Sequence, residues 1–137
     1  MANEATLIIQ KSLPINMTCA DGTGIEKGTI LKLADPFTAS AASADDDIVA
    51  GIAAVEKIAS DGVTKIAVYR DGIFRMKASG SIAVGDSVGV EGDTANSVHS
   101  QSTSELLLSG MRRLGFALET AANAETFLVE LNIGSVG

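Results

Sequence analysis

SIAVGDSVGVEGD, residues 81–93, is the stretch on which the reading of this fold turns. Within it, Val84 to Val90 (VGDSVGV) is a glycine turn followed by an alternating strand, and Lys27 to Leu33 (KGTILKL) has the same form. Laid over one another, Gly28 meets Gly85, Leu31 meets Val88 and Leu33 meets Val90. Two more segments match in the same order. AGIAA (50–54) falls on LGFAL (114–118), with Gly51 on Gly115. TKIAVYRDG (64–72) falls on ETFLVELNIG (125–134), with Ile66 on Phe127 and Val68 on Val129. The matched pairs lie 57, 64 and 61 residues apart. Any one match is generic. Three in order at a nearly constant spacing indicate one structural unit written twice, about residues 27–73 and 84–134.

Each copy reads as a turn and strand, a glycine-started strand and a long closing strand. Thr64 to Tyr69 alternates, as does Glu125 to Ile133, where Phe127, Val129 and Leu131 share a face. Asp71-Gly72, between TKIAVY and IFRMK (73–77), reads as a hairpin turn because glycine accepts the positive φ that such turns need. Each unit has an apolar face it cannot cover alone, so the two are expected to pack together. The expected fold is all-β: a small barrel or sandwich built from two similar three-strand units, with little helix. Residues 1–24 read as an N-terminal arm or strand and 25–137 as a single β domain. TLIIQK (6–11) supplies a short strand expected to pair within its own sheet, with addition to another chain's edge as the alternative. Residues 35–47 read as a loop, and 92–113 as a polar loop followed by ELLLSGMRR (105–113), which forms either one or two helical turns or an apolar loop against a neighbour.

Length and composition bound the function. At 137 residues, 46% of them hydrophobic, the chain suffices for one domain with a genuine core. Aromatics are 4% with no Trp, which suits small-residue β packing better than a pocket for a large planar ligand. The net charge of −7 lacks the basic footprint of a nucleic-acid binder. No run approaches the ~18 apolar residues of a membrane helix. No targeting segment is readable in MANEATLIIQKSLP, so the expectation is a soluble protein made in a cytoplasm. The single cysteine permits no internal disulfide.

The chemical inventory is thin. His99, the one histidine, lies in a polar loop among Ser, Gln and Thr; a general base needs an oriented neighbour and a nucleophile within reach, and a lone histidine in such a loop reads as a solvated residue. Cys19 lacks a cationic setting that would favour thiolate and reads as a small buried hydrophobe. Asp45, Asp46 and Asp47 are consecutive rather than alternating, unlike an EF-hand, and read as a solvated turn. DGTGIEKGT (21–29) contains Gly-x-Gly without the helix or Lys-Ser/Thr of a phosphate loop. Arg112-Arg113 is a possible anchor for a partner's carboxylate or phosphate. The expectation is no catalytic residue, no cofactor and no metal.

In order, KGTILKL (27–33), VAGIA (49–53), VYRDGIF (68–74), IAVGDSV (82–88), GFALE (115–119) and FLVEL (127–131) form a pattern that resembles the small head decoration, or capsid cement, proteins of tailed bacteriophages. That resemblance implies a structural virion protein on the head surface that binds the major capsid protein and bridges its subunits. It also implies self-association as a homotrimer or other small oligomer, synthesis in the host cytoplasm, and no nucleic-acid or membrane partner. The residues singled out for capsid contact are Leu7, Ile8 and Ile9, then Leu106, Leu107, Leu108, Arg112 and Arg113. The competing readings are a tail, baseplate or receptor-binding module and a small β-barrel carrier. A carrier would present a modifiable lysine at a hairpin tip, and Lys57, Lys65 and Lys77 sit in no such motif.

Overall fold

The computed structural model describes residues 3–101 and 112–133. Every named element among them is a β-strand: β1 (Thr6–Ile9), β2 (Ile15–Thr18), β3 (Ile30–Ala34), β4 (Thr38–Ala41), β5 (Val49–Ala53), β6 (Lys65–Tyr69), β7 (Ile73–Ala78), β8 (Ser87–Val90), β9 (Ser97–Ser100), β10 (Gly115–Ala117) and β11 (Thr126–Leu131). Strands β2-β4-β3-β5-β6 close into one barrel, barrel 1. Strands β7-β11-β10-β8-β9 close into a second, barrel 2, through a β7–β9 pairing, and β1 adds to β7 from outside.

The two barrels share one pairing diagram. In each, the first strand runs parallel to the third (β2 to β4, β7 to β9) and antiparallel to the fifth (β2 to β6, β7 to β11). The register agrees as well. Leu31 faces Gly51 as Val88 faces Gly115, and Met17 faces Ile66 as Met76 faces Phe127. Even the isolated bridges correspond, Ile25↔Lys57 and Ile82↔Ala121. Residues laid over one another in the sequence, Leu31 with Val88, Gly51 with Gly115 and Ile66 with Phe127, hold corresponding places in the two barrels. The turn glycines match in conformation, Gly28 at φ 88° and Gly85 at φ 90°. Gly51 and Gly115 are held by contact: a Cβ on either would collide with a backbone oxygen of the neighbouring strand, of Tyr69 or of Glu130.

Each unit has five strands rather than three. The additions are β2 or β7 at the start and β4 or β9 in the middle, the latter inside segments expected to be loops. TASA in β4 and SVHS in β9 bury Ala39 and Ser97-Val98, too little apolar surface to mark a strand by pattern. The hairpin expected at Asp71-Gly72 is also corrected. β6 pairs with β2 and β5, whereas β7 pairs with β1, β9 and β11, so Asp71-Gly72 is the crossover between barrels. A turn signal reports the local change of direction, not which strands pair afterwards.

The core explains how the barrels join. Barrel 1 is filled by Met17, Cys19, Ile25, Leu31, Ala39, Ala50, Ala53, Ile66 and Val68. Ile30, Val49 and Ile52 point out of barrel 1 and pack with Phe74, Phe127, Val129 and the rest of the barrel 2 core. Strand β5 is therefore buried along its whole length, one face in each cluster. Burying three such aliphatic side chains at about 1.5–3 kcal/mol each is enough to fix one barrel against the other.

Candidate functional site

The first surface of interest is the N-terminal arm. The Ala5 amide donates to the Gly28 carbonyl at 2.8 Å in barrel 1, and β1 then pairs with β7 of barrel 2, Thr6 opposite Arg75 and Leu7 opposite Phe74. The arm thus straddles both barrels. Leu7 packs against the core, whereas Ile8 and Ile9 are 47% and 51% exposed and Leu13 is 80% exposed. Lys11 Nζ donates to Glu130 Oε2 at 2.6 Å and lies 3.8 Å from Asp71, ion pairs that hold its ammonium above its ordinary pKa. Strand β1 is the terminal strand of its sheet, so its outer edge pairs with no named strand among the described residues. In barrel 1, β4 meets β2 only at Thr18, which leaves Ile15 and Asn16 at an edge with Ile15 exposed.

The second surface is the seam where the 45–47 turn of barrel 1 meets β8 and β9. All three acids there are hydrogen-bonded, and Asp46 is buried while Asp45 stays exposed. The Asp45 carboxylate accepts from the Gly92 amide at 2.6 Å, which with a hydrogen bond shared with Glu91 holds its pKa below the usual carboxylate value. The Asp47 carboxylate accepts from the Ser43 and Ala44 amides, at 2.8 and 2.9 Å. Asp46 is buried and contacts both His99 Nε2 (3.1 Å) and Gln101 Nε2 (2.9 Å). His99 is on β9, half-buried, with Nδ1 3.5 Å from Glu91 Oε2. The expectation of a solvated loop histidine is corrected: β9 carries it into the seam.

The arginine pair lies beside this cluster. Arg112 donates to the Asp46 carbonyl at 2.8 Å, and Arg113 donates through Nε to Ser87 Oγ at 2.9 Å while its guanidinium stands 5.0 Å above the Phe116 ring. Both guanidinium groups thus make contacts within the seam. Leu106, Leu107 and Leu108 lie outside the described residues. Among the described residues, those singled out from sequence form no single patch: Ile8 and Ile9 are exposed, Leu7 packs against the core and the arginines contact the seam.

The family model for phage cement protein matches residues 9–133, nearly the whole two-barrel body. The chain belongs to the phage cement protein family. Among solved structures, the head fiber gp8.5 N base of bacteriophage phi29 is similar with a TM-score of 0.55 and 16% identity, covering 86% of this chain and 93% of that one. At that identity the likeness is one of fold. No curated protein matches. Membership makes this a structural phage protein associated with the virion.

Within this cement protein, two residues weighed for chemistry have structural places. Cys19 is buried in the barrel 1 core, and burial raises its thiol pKa. Lys57, considered as a carrier lysine, closes the end of barrel 1. Its Nζ donates to Asp61 Oδ1 (2.9 Å), the Asp21 carbonyl (3.0 Å) and the Ile58 carbonyl (3.0 Å), and its side chain is 1% exposed. Burial pulls its pKa down, and the hydrogen bonds to Asp61 and Asp21 outweigh that and hold it up. An ammonium with three satisfied donors and no exposure is not a modifiable tip. The seam itself was missed from sequence, although one signal pointed to it. Gly89 lies mid-strand in β8, where a Cβ would collide with the Asp46 carboxylate and the Gln101 amide, and a glycine inside a strand marks such a close approach.

Proposed function

We propose that this cement protein binds the outer face of the phage head and bridges neighbouring major capsid subunits. The observation that carries the reading, beside the family, is the arm: Ile8, Ile9 and Leu13 are exposed aliphatic side chains beside an unpaired strand edge. Such an edge takes a strand from a partner through backbone hydrogen bonds, while the alternating side chains set specificity. A further exposed aliphatic side chain, Ile15, stands at the edge of barrel 1. Two barrels joined through a shared core present these features at fixed separation. A rigid body of that kind gains from touching two subunits, since the second contact becomes intramolecular. Self-association into a small oligomer around a capsid symmetry axis multiplies the same advantage.

The test uses substitutions on the arm rather than its deletion, because β1 and Ala5 are integrated into both barrels and removing them unfolds as well as disarms. Ile8→Asp with Ile9→Asp changes two exposed side chains and leaves the β1–β7 pairing in place. Co-sedimentation with undecorated capsids is expected to weaken by at least ~10-fold, since two buried aliphatic contacts at the centre of an interface carry that much. Undiminished capsid binding by a folded double variant removes the arm from the interface.

A further inference from the structure

The geometry points to a divalent transition-metal site at the seam, formed by Asp45 of barrel 1 with Glu91 and His99 of barrel 2. One ligand atom from each of the three lies within 4.8 Å of the others. The donor set is mixed, two carboxylates and an imidazole, and it is assembled from both halves of the repeat, so it is more than a run of surface acids.

The imidazole is set for this role by what stands behind it. His99 Nε2 lies 3.1 Å from the buried Asp46 carboxylate, whose same oxygen accepts from Gln101 at 2.9 Å. The Nε2–H tautomer fits that contact and turns Nδ1 toward Glu91, 3.5 Å away. A carboxylate holding the far nitrogen of a metal-binding histidine fixes the ring and raises its basicity. Ligands about 2.1 Å from one ion stand ~3.4 Å apart, so the His99–Glu91 pair, at 3.5 Å, already has the spacing, and an Asp45 carboxylate oxygen lies within 4.8 Å of both. An imidazole among the donors favours Zn²⁺ or a neighbouring first-row ion over Ca²⁺, which takes six or more oxygens. The backbone supports the placement. Gly92 meets Asp45 through its amide, and Gly89 leaves the room that Asp46 occupies. An ion here ties the two barrels together and stabilises their docked arrangement.

The test takes the purified full chain after chelation and titrates ZnCl₂, with CaCl₂ as the comparison. His99 is the sole histidine, so its two ring nitrogens give an unambiguous NMR signature. Zn²⁺ is expected to bind at one equivalent, shift the Nδ1 resonance with Nε2 still protonated, and raise the unfolding midpoint by roughly 5 °C at saturating metal. Asp45→Asn, an exposed change that keeps the oxygen facing Gly92, and Glu91→Gln should each weaken binding at least ~10-fold. A midpoint and His99 spectrum unmoved by Zn²⁺, or equal affinity in folded Asp45→Asn, overturns the site. So does a ring protonated on both nitrogens and indifferent to metal, which makes the cluster an ionic clamp only.

Discussion

Ile15 in barrel 1 and Phe74 in barrel 2 occupy the same place in the repeat, opposite Val68 and Val129, yet one is 42% exposed and the other 1%. Two things make the difference: Ile30, Val49 and Ile52 of barrel 1 share the cluster that holds Phe74, and β1 lies beside it. Strand β1 covers the start of β7, placing Leu7 opposite Phe74, while Tyr69 meets the Phe74 ring edge-on at 5.7 Å. Nothing described does this for β2. One structural plan thus yields a barrel with a covered seam and aromatic filling, and a barrel with an uncovered edge and an aliphatic interior closed by Lys57. The lesson is that duplicated units diverge where they meet something else: a partner strand, the other barrel or solvent.

The comparison breaks most easily at the glycines. Gly51→Val and Gly115→Val are expected to be equally severe, each costing more than about 3 kcal/mol or abolishing folding, because each new side chain strikes a neighbouring backbone oxygen. Denaturant midpoints measure this, and tolerance at one site alone contradicts the equivalence. Next comes the Ile15/Phe74 pair. Phe74→Ala should cost about 3–5 kcal/mol, as for a fully buried ring, whereas Ile15→Ala should change stability by less than about 1 kcal/mol. Equal costs mean that neither the shared cluster nor β1 distinguishes the two sites.

Lys57→Met sharpens the contrast at the barrel ends, since its counterpart in the repeat is Ala121. The lysine's folded pKa is raised, so its contribution is complete below its ordinary 10.5 and fades as pH climbs beyond that value. Asp61 is lowered, chiefly by the Lys57 hydrogen bond, so its share is complete above 3.8 and fades as pH falls below it. The stability gap between wild type and Lys57→Met should therefore be widest at neutral pH and narrow at both extremes, and a gap constant with pH contradicts this. The smallest effect is expected from Lys11→Ala. Its ion pairs are solvent-exposed, so hydrogen exchange should quicken in β1 while the global midpoint stays within error. A clear fall in that midpoint means the arm is worth more to the fold than its exposure indicates.

What the sequence showed and what it hid follow from the same physics. The strands carrying the repeat were legible because Leu31 and Val88 each stand three residues after a positive-φ glycine, Gly28 or Gly85, and because Ile66-Val68 and Phe127-Val129 repeat the same alternation. β4 and β9 were hidden because each is short and polar, held by neighbours rather than by its own pattern. The crossover at Asp71-Gly72 looked like a hairpin because the pairings of β6 with β2, and of β7 with β11 and β1, join residues 47 to 69 positions apart, far outside any local window. The exposed arm was visible as an apolar run, but the inward turn of Leu7 depends on Phe74 beneath it. Asp45, Asp46 and His99 were legible as residue types only, because Asp45 and Asp46 meet Glu91, Gly92, His99 and Gln101 across 46 to 55 positions of chain.

The role itself is tested most directly by cryo-electron microscopy of undecorated capsids with and without the added protein. The account predicts two-barrel density on the outer face of the head, with the Ile8–Ile9 edge against a capsid subunit and contacts reaching a second subunit. Heads that gain no density, or density confined to the tail, would contradict it.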